Sequence, residues 1–271
     1  MIYFSWHFVQ TFYEAHLCNM TSPVDKPNQS DPEAFTSTGP VDNGAKTGKQ
    51  SEGDYRLQIF QSSLNALAHI LIGATVMPCL LYALRNGVPL TATSVHIILC
   101  VIGHHLLMAE AILSLSPANG WSSRLRLVDK RRAHWILMTT GSGMAIAGSF
   151  YKILDKPVHW NTLHGQFALV ALVFTVASLF NGLTSHYAYE WRVVFNANLS
   201  KITHICFGVL AYTMSSVCLI YGLDKQGVRN WATSPVVDAL IAAIVIYTAI
   251  CIINPTISFY RKSKLVVKNS L

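Results

Sequence analysis

Charged residues are scarce in this chain of 271 residues: Asp, Glu, Lys and Arg make up 12% of the sequence, whereas hydrophobic residues make up 52%. A soluble domain has about a quarter of its residues charged. The apolar residues also gather in long runs, and about 20 of them are enough to cross a hydrocarbon core about 30 Å thick. The composition therefore predicts an integral membrane protein.

The sequence has no C-x-x-C pair, and five of its six cysteines lie inside apolar runs. This pattern predicts small packing residues and argues against disulfides or zinc ligands. The formal net charge is +7, and the basic residues lie mostly between the apolar runs. Their positions therefore indicate membrane topology first, and we expect no nucleic acid as a partner. The opening segment has no basic n-region, and a cleaved signal peptide is not expected.

Three segments follow from composition. Residues 1–60 include a stretch rich in Ser, Thr, Asn, Gly and Pro, and we expect a disordered cytoplasmic tail there. Residues 61–262 form the helical domain, and residues 263–271 form a short basic cytoplasmic tail. Six windows in this domain are long enough to span a membrane, which predicts an all-α six-helix bundle: 64–84, 93–115, 133–154, 163–183, 202–222 and 235–258.

Basic residues indicate the direction of the spans. If both termini are cytoplasmic, eleven Lys and Arg residues lie in the cytoplasmic loops and C-terminal tail, against five on the opposite face. The positive-inside bias therefore favours cytoplasmic termini. Lys130, Arg131 and Arg132 stand directly before the third span, and one predicted role of this basic run is to hold its loop in the cytoplasm.

Four histidines share a position near the start of successive spans 2 to 5: His96, His134, His164 and His204. Because span direction alternates, His96 and His164 lie near the non-cytoplasmic face, and His134 and His204 lie near the cytoplasmic face. Two imidazoles at one depth on two helices can bind both axial positions of a haem iron. The pattern thus predicts two haems between spans 2–5.

Each of these histidines has a simpler alternative role, as an interfacial residue or a hydrogen-bonding partner for a neighbouring helix. We expect His69, His104 and His105 to be packing residues or indirect supports of a site, and His159 and His186 to be solvated. Gly141 lies seven residues after His134 on the same helix face, where it could leave room for a porphyrin or let two helices pack closely.

Local sequence around the four histidines resembles the cytochrome b561 family over roughly residues 60–262, and looks closest to its short domain-containing subgroup. The matching stretches are Ser94-Val95-His96, Cys100-Val101-Ile102-Gly103, Ala133-His134-Trp135, Asn161-Thr162-Leu163-His164-Gly165-Gln166 and Thr203-His204 with Gly208. The resemblance implies a dihaem transmembrane reductase with two haem b groups. It assigns His96 and His164 to the non-cytoplasmic haem, and His134 and His204 to the cytoplasmic haem.

The resemblance also implies the chemistry: single electrons pass from cytosolic ascorbate to monodehydroascorbate radical or ferric iron on the other side. Lys130, Arg131 and Arg132 are the cations beside His134 that could meet ascorbate or haem propionates. The family's ALLVYRVFR-like stretch at the end of span 2 reads Ala111-Ile112-Leu113-Ser114-Leu115-Ser116-Pro117 here, without its Tyr or Arg. The family's SLHSW is Thr162-Leu163-His164-Gly165-Gln166.

Two other functions remain open at this point. Intramembrane histidines with Glu110 could form the relay of a proton or metal-ion transporter, or the chain could be a haem membrane protein without ascorbate activity. We expect a multi-pass protein in the lipid bilayer, with the endoplasmic reticulum or a cytoplasmic vesicle as its membrane by resemblance alone. A homodimer is compatible with this architecture.

Overall fold

The chain folds into helices, as a computed structural model of residues 52–187 and 197–270 shows. Within these ranges there are seven helices and no strand, so the predicted all-α class is confirmed. The helices are α1 Glu52–Leu84, α2 Ala92–Ser114, α3 Leu127–Asp155, α4 Leu163–His186, α5 Ala197–Leu223, α6 Gln226–Ala232 and α7 Ser234–Ser270. The middle of α2, Val101–Met108, is π-helical.

Five helices are long and apolar enough to cross a membrane, namely α1, α2, α4, α5 and α7. The α3 helix has 29 residues, which is long enough, but it is less apolar because Gly, Ser and Thr alternate with its hydrophobic residues. The crossing predicted for residues 133–154 therefore stays a prediction that rests on length and packing.

The ends of the bundle differ from the predicted segments. The α1 helix begins at Glu52, so the last residues of the segment expected to be a disordered tail are helical, and an ion pair of 2.8 Å joins Arg56 to Glu52 one turn earlier. The α7 helix continues to Ser270 through the predicted basic tail. Most of the predicted N-terminal tail, residues 1–51, lies outside the described residues.

A buried apolar cluster joins five of the helices, namely α1, α2, α5, α6 and α7. It includes Ile72 of α1, Val101 of α2, Tyr212 of α5, and Ile244 and Tyr247 of α7. The exposed large apolar side chains on the outside of the helices face the lipid in a membrane protein. The cluster holds α1 and α7 against α2 and α5. Helices α3 and α4 lie outside this cluster.

Helices α2 and α3 touch through their backbones at two glycines. A Cβ atom on Gly103 would lie 2.6 Å from the carbonyl oxygen of Gly141, and one on Gly141 would lie 2.7 Å from the carbonyl oxygen of Gly103. These distances are shorter than any ordinary Cβ contact, so both positions require glycine. Of the two roles open for Gly141, the structure supports close helix packing, since the space beside its Cα is occupied by α2.

We predict opposite effects of alanine at two glycines of α3. Gly141→Ala should lower the stability of the protein by about 1–3 kcal/mol, because the new methyl group pushes against the α2 backbone. Gly143→Ala is the matched control: no atom lies within 4 Å of its Cβ position, so the gain in helix propensity of about 1 kcal/mol should prevail. Thermal unfolding in detergent would measure both, and equal effects of the two changes would contradict the packing.

Candidate functional site: two histidine pairs

The two ends of the bundle carry different basic residues and are named for them here. The lysine end contains the α3–α4 loop with Lys156 and the α5–α6 connection with Lys225. The arginine end contains the α2–α3 loop with Arg124 and Arg126. Each end holds one pair of the predicted histidines.

At the lysine end, α2 and α4 bring His96 and His164 together. Their ring centres are 6.2 Å apart and the ring planes are nearly perpendicular, at 87°. His96 Nδ1 donates a hydrogen bond of 3.0 Å to the carbonyl oxygen of Gly148 in α3, and His164 Nδ1 donates one of 2.9 Å to that of Cys218 in α5. Each ring is thus held from a neighbouring helix.

At the arginine end, α3 and α5 bring His134 and His204 together in the same way. Their ring centres are 6.3 Å apart with an interplanar angle of 90°. His134 Nδ1 donates to the carbonyl oxygen of Ala111 in α2 at 2.8 Å, and His204 Nδ1 donates to that of Ser178 in α4 at 3.1 Å. The structure therefore pairs the four histidines as their depths in the spans predict.

The hydrogen bonds fix the tautomer of all four rings. A carbonyl oxygen can only accept, so Nδ1 carries the proton and the free lone pair is on Nε2. Metal-binding histidines in proteins show this arrangement, in which the second ring nitrogen donates to a carbonyl or carboxylate. Each pair therefore offers two nitrogen ligands, and neither nitrogen has to lose a proton before it binds a metal ion.

The ring separations fit two imidazoles on one metal ion. Metal–imidazole bonds are about 2 Å long and the ring centre lies about 1 Å beyond the nitrogen, so rings on opposite sides of one ion have centres about 6 Å apart. No group of three or more His, Cys, Asp or Glu side chains in the described ranges could hold a metal. The remaining coordination positions would come from another group, and a haem held by the two histidines of a pair would supply them.

Two glycines make room for the rings from the facing helix. A Cβ atom on Gly182 of α4 would lie 3.0 Å from Cε1 of His204, and one on Gly222 of α5 would lie 3.3 Å from Cε1 of His164. Each glycine stands four residues after the residue whose carbonyl binds the same histidine. Sequence reasoning missed both, because the i+4 relation can be seen only once the carbonyl that binds each ring is known.

A cavity of about 390 Å³ opens beside the pair at the lysine end. Its size lies in the range of about 300–1,000 Å³ that is typical of ligand sites. The walls include His96 and His164, and also Lys152, Lys156 and Lys225. Lys152 Nζ is held by Thr93 Oγ1 at 2.9 Å and by Asp155 at 2.6 Å. The cavity thus joins a histidine pair to a cationic lining.

The three basic residues predicted as substrate contacts have different surroundings. Lys130 is only 8% exposed, and burial lowers its pKa. It stands four residues before His134 and so shares its face of α3. Arg132 lies 3.6 Å from Asp129, whose pKa Arg126 lowers, so a carboxylate offsets part of its charge. Arg131 is exposed.

The other histidines occupy several kinds of site. His105 is buried and its Nδ1 lies 2.9 Å from the hydroxyl of Tyr247, while His104 is buried beside the cavity at the lysine end. His159 also lines that cavity. His186, expected to be solvated, stacks on Trp135 with ring centres 6.1 Å apart. His69, expected to pack or to support a site, forms an ion pair with Glu110 at 2.7 Å.

Comparison with known proteins gives one family and a consistent set of relatives. Residues 95–229 match the family model of eukaryotic cytochrome b561. The chain is 27% identical to "Transmembrane reductase CYB561D2" of Homo sapiens over 215 residues, which cover 75% of this chain and 91% of the relative. The same figures hold for the protein of that name from Mus musculus, and the one from Bos taurus is 26% identical over 210 residues.

We predict that each glycine beside a histidine ring supports one pair. Gly182→Ala should reduce binding at the His134/His204 pair, and Gly222→Ala at the His96/His164 pair, because the added methyl group displaces the ring. The loss should be one bound haem per chain, measured by pigment extraction against protein concentration. Gly73→Ala, where no atom lies within 4 Å of the Cβ position, should change nothing. Full haem content in both ring-side variants would contradict this role.

Proposed function

Because the chain belongs to the cytochrome b561 family, we propose that it is a dihaem transmembrane reductase. It passes single electrons from cytosolic ascorbate to monodehydroascorbate radical or ferric iron on the other side of the membrane. Membership of the family makes it a membrane-embedded oxidoreductase that binds haem b. The number of haems, their ligands and the two substrates are the proposal.

The observation that carries the proposal is the pair of matched histidine sites. The ring centres of His96 and His164 are 6.2 Å apart and those of His134 and His204 are 6.3 Å apart, which is the separation of two imidazoles on one metal ion. When bound there, haem supplies a one-electron couple at each end of the bundle. Two histidines would hold each haem iron, so the substrates would meet the edges of the sites.

The arginine end is assigned to the cytoplasm. The loops and tail at this end carry most of the basic residues, and the positive-inside bias places such loops in the cytoplasm. The assignment makes the His134/His204 pair the point of electron entry and the His96/His164 pair the point of exit.

Lys130 is the best placed of the three cations for an anionic donor. Ascorbate is a monoanion at neutral pH, and Lys130 stands one turn before His134 on the same face of α3. Arg132 is partly offset by Asp129. The arginine end is cationic beside His134 because of Lys130, Arg131 and Arg132, and this charge raises the local concentration of an anion. The same charges would stabilise a haem propionate.

The cavity at the lysine end suits the acceptor. Lys152, Lys156 and Lys225 line it together with His164, so an anionic acceptor is attracted to the exit side as well. Monodehydroascorbate radical is an anion, and ferric iron reaches a membrane reductase as a chelate whose ligands are commonly anionic. Both acceptors fit a cationic cavity that opens beside the exit pair.

We predict a two-component haem spectrum that ascorbate reduces. The purified full-length protein should show b-type absorbance with two components. His96→Ala and His164→Ala should remove the same component, and His134→Ala and His204→Ala should both remove the other. Absence of haem would contradict the proposal and favour a histidine-based proton or metal-ion transporter. Haem bands that ascorbate does not reduce would favour a haem membrane protein without ascorbate activity.

We predict that Lys130→Gln weakens the use of ascorbate. The KM for ascorbate in haem reduction should rise about tenfold, which corresponds to about 1.4 kcal/mol, because a buried cation beside the entry pair is lost. Arg132→Gln is the control and should have a smaller effect, since Asp129 already offsets this charge. A larger effect of Arg132→Gln would contradict the placement of the donor beside Lys130.

A further inference from the structure

A partly buried polar cluster stands at the arginine end beside the entry pair. His69 of α1 contacts Glu110 of α2 through Nδ1, with 2.7 Å to Oε1. Its Nε2 faces the side-chain oxygens of Asn119 at 2.9 Å and Asn65 at 3.1 Å. The second carboxylate oxygen of Glu110 accepts a hydrogen bond of 3.2 Å from the indole of Trp121. Both ring nitrogens of His69 therefore face oxygen atoms.

The orientation of the Asn119 amide is fixed by a chain of hydrogen bonds. Ser122 Oγ donates to the carbonyl oxygen of Ser114 at 2.8 Å, so its own oxygen accepts from Asn119 Nδ2, also at 2.8 Å. The oxygen of the amide must then point to His69. Since an amide oxygen only accepts, His69 Nε2 carries a proton.

A second proton must lie between His69 and Glu110. With Nε2 protonated, Nδ1 and the carboxyl oxygen face each other at 2.7 Å, and two lone pairs at this distance would repel. Either Nδ1 is protonated and the pair is an imidazolium with a carboxylate, or Glu110 is the donor. In both forms the pair holds one proton more than a neutral histidine beside a carboxylate.

The pair is reachable by water and is connected to the entry site. A cavity of about 380 Å³, lined by His69, Asn65 and Trp121, opens between α1 and the α2–α3 loop. The side chains of His69 and Glu110 are 29% and 22% exposed. Glu110 directly precedes Ala111, whose carbonyl oxygen accepts the Nδ1 hydrogen bond of His134.

We propose that the His69–Glu110 pair is the proton acceptor that accompanies electron entry at the arginine end. This inference rests on the proposed function. Ascorbate monoanion gives up one electron and one hydroxyl proton as it becomes the monodehydroascorbate radical anion. A haem held by His134 and His204 would take up the electron, and the proton would pass through the water-accessible cavity to the His69–Glu110 pair. The form with the shared proton, whose geometry is described above, is then the state after uptake. A neutral His69 beside the carboxylate of Glu110 is the state before uptake.

Such coupling has an electrostatic reason. A charge placed in a medium of low dielectric constant is costly, and a compensating charge nearby removes most of that cost. Two other titratable groups interact with Glu110, the hydroxyl of Tyr212 in α5 and the thiol of Cys251 in α7. Their ordinary pKa values are about 10 and 8.5, so both are neutral at physiological pH. Neither group therefore takes up a proton in this range.

The test is the pH dependence of the haem midpoint potentials in the full-length protein, measured by spectroelectrochemistry in lipid. In the wild type, the potential of the component assigned to His134 and His204 should fall as pH rises, by at most about 59 mV per tenfold change in proton concentration. His69→Gln and Glu110→Gln should flatten this slope. The potential of the other component should keep its wild-type pH dependence.

Matched controls separate proton uptake from a merely structural role. His186→Gln removes another histidine at the same end, and Glu52→Gln removes an exposed carboxylate of α1 that pairs with Arg56. Both should keep the wild-type slope. Equal slopes in the wild type, His69→Gln and Glu110→Gln would overturn the proposal, and so would a flattened slope in the controls.

An infrared titration tests the pair independently of haem. The full-length protein should show a carboxyl band whose pH dependence changes in His69→Gln and which disappears in Glu110→Gln. If haem is absent but the band behaves in this way, the proposed function fails while the shared proton stands. If haem is present and no band responds to His69→Gln, the shared proton fails while the reductase stands.

Discussion

The site depends on hydrogen bonds from histidine Nδ1 atoms to carbonyl oxygens of neighbouring helices. Each helix carbonyl already accepts one bond within its own helix and uses its second lone pair for the imidazole. The bond holds the ring across a helix interface, fixes its tautomer and leaves Nε2 free. His96 depends in this way on α3, His164 on α5, His134 on α2 and His204 on α4. Relative movement of these helices would therefore disturb the pairs.

Close contact between helices makes these bonds possible. In α2 and α3 the backbones meet at Gly103 and Gly141, and a side chain at either position would push the carbonyl acceptors away from the rings. In α4 and α5, Gly182 and Gly222 serve the rings directly. Small residues have two roles here, since they allow the packing that membrane helices use in place of hydrophobic collapse and they leave space for the imidazoles.

The two ends of the bundle are built alike but differ in their ionisable surroundings. The lysine end has a cavity with three lysines beside the His96/His164 pair. The arginine end has the buried cation Lys130 and, on the other side of α2, the His69–Glu110 pair. Cations at both ends fit the anionic substrates that we propose for the two sides of the membrane. The carboxylate at the lysine end, Asp155, pairs with Lys152, whereas Glu110 pairs with His69 beside the proposed entry pair.

The sequence by itself determined the helical class, the approximate positions of five of the six predicted spans and the pairing of the four histidines, because apolar length and alternating direction fix depth in a membrane. It also indicated the basic run before His134. Only the tertiary structure decided which carbonyl holds each ring, that Gly141 serves packing, and that Gly182 and Gly222 face imidazoles. Likewise, His69 and Glu110 are 41 residues apart in the chain, and no periodicity predicts their contact. Such contacts depend on the rotation of each helix about its axis, which packing alone sets.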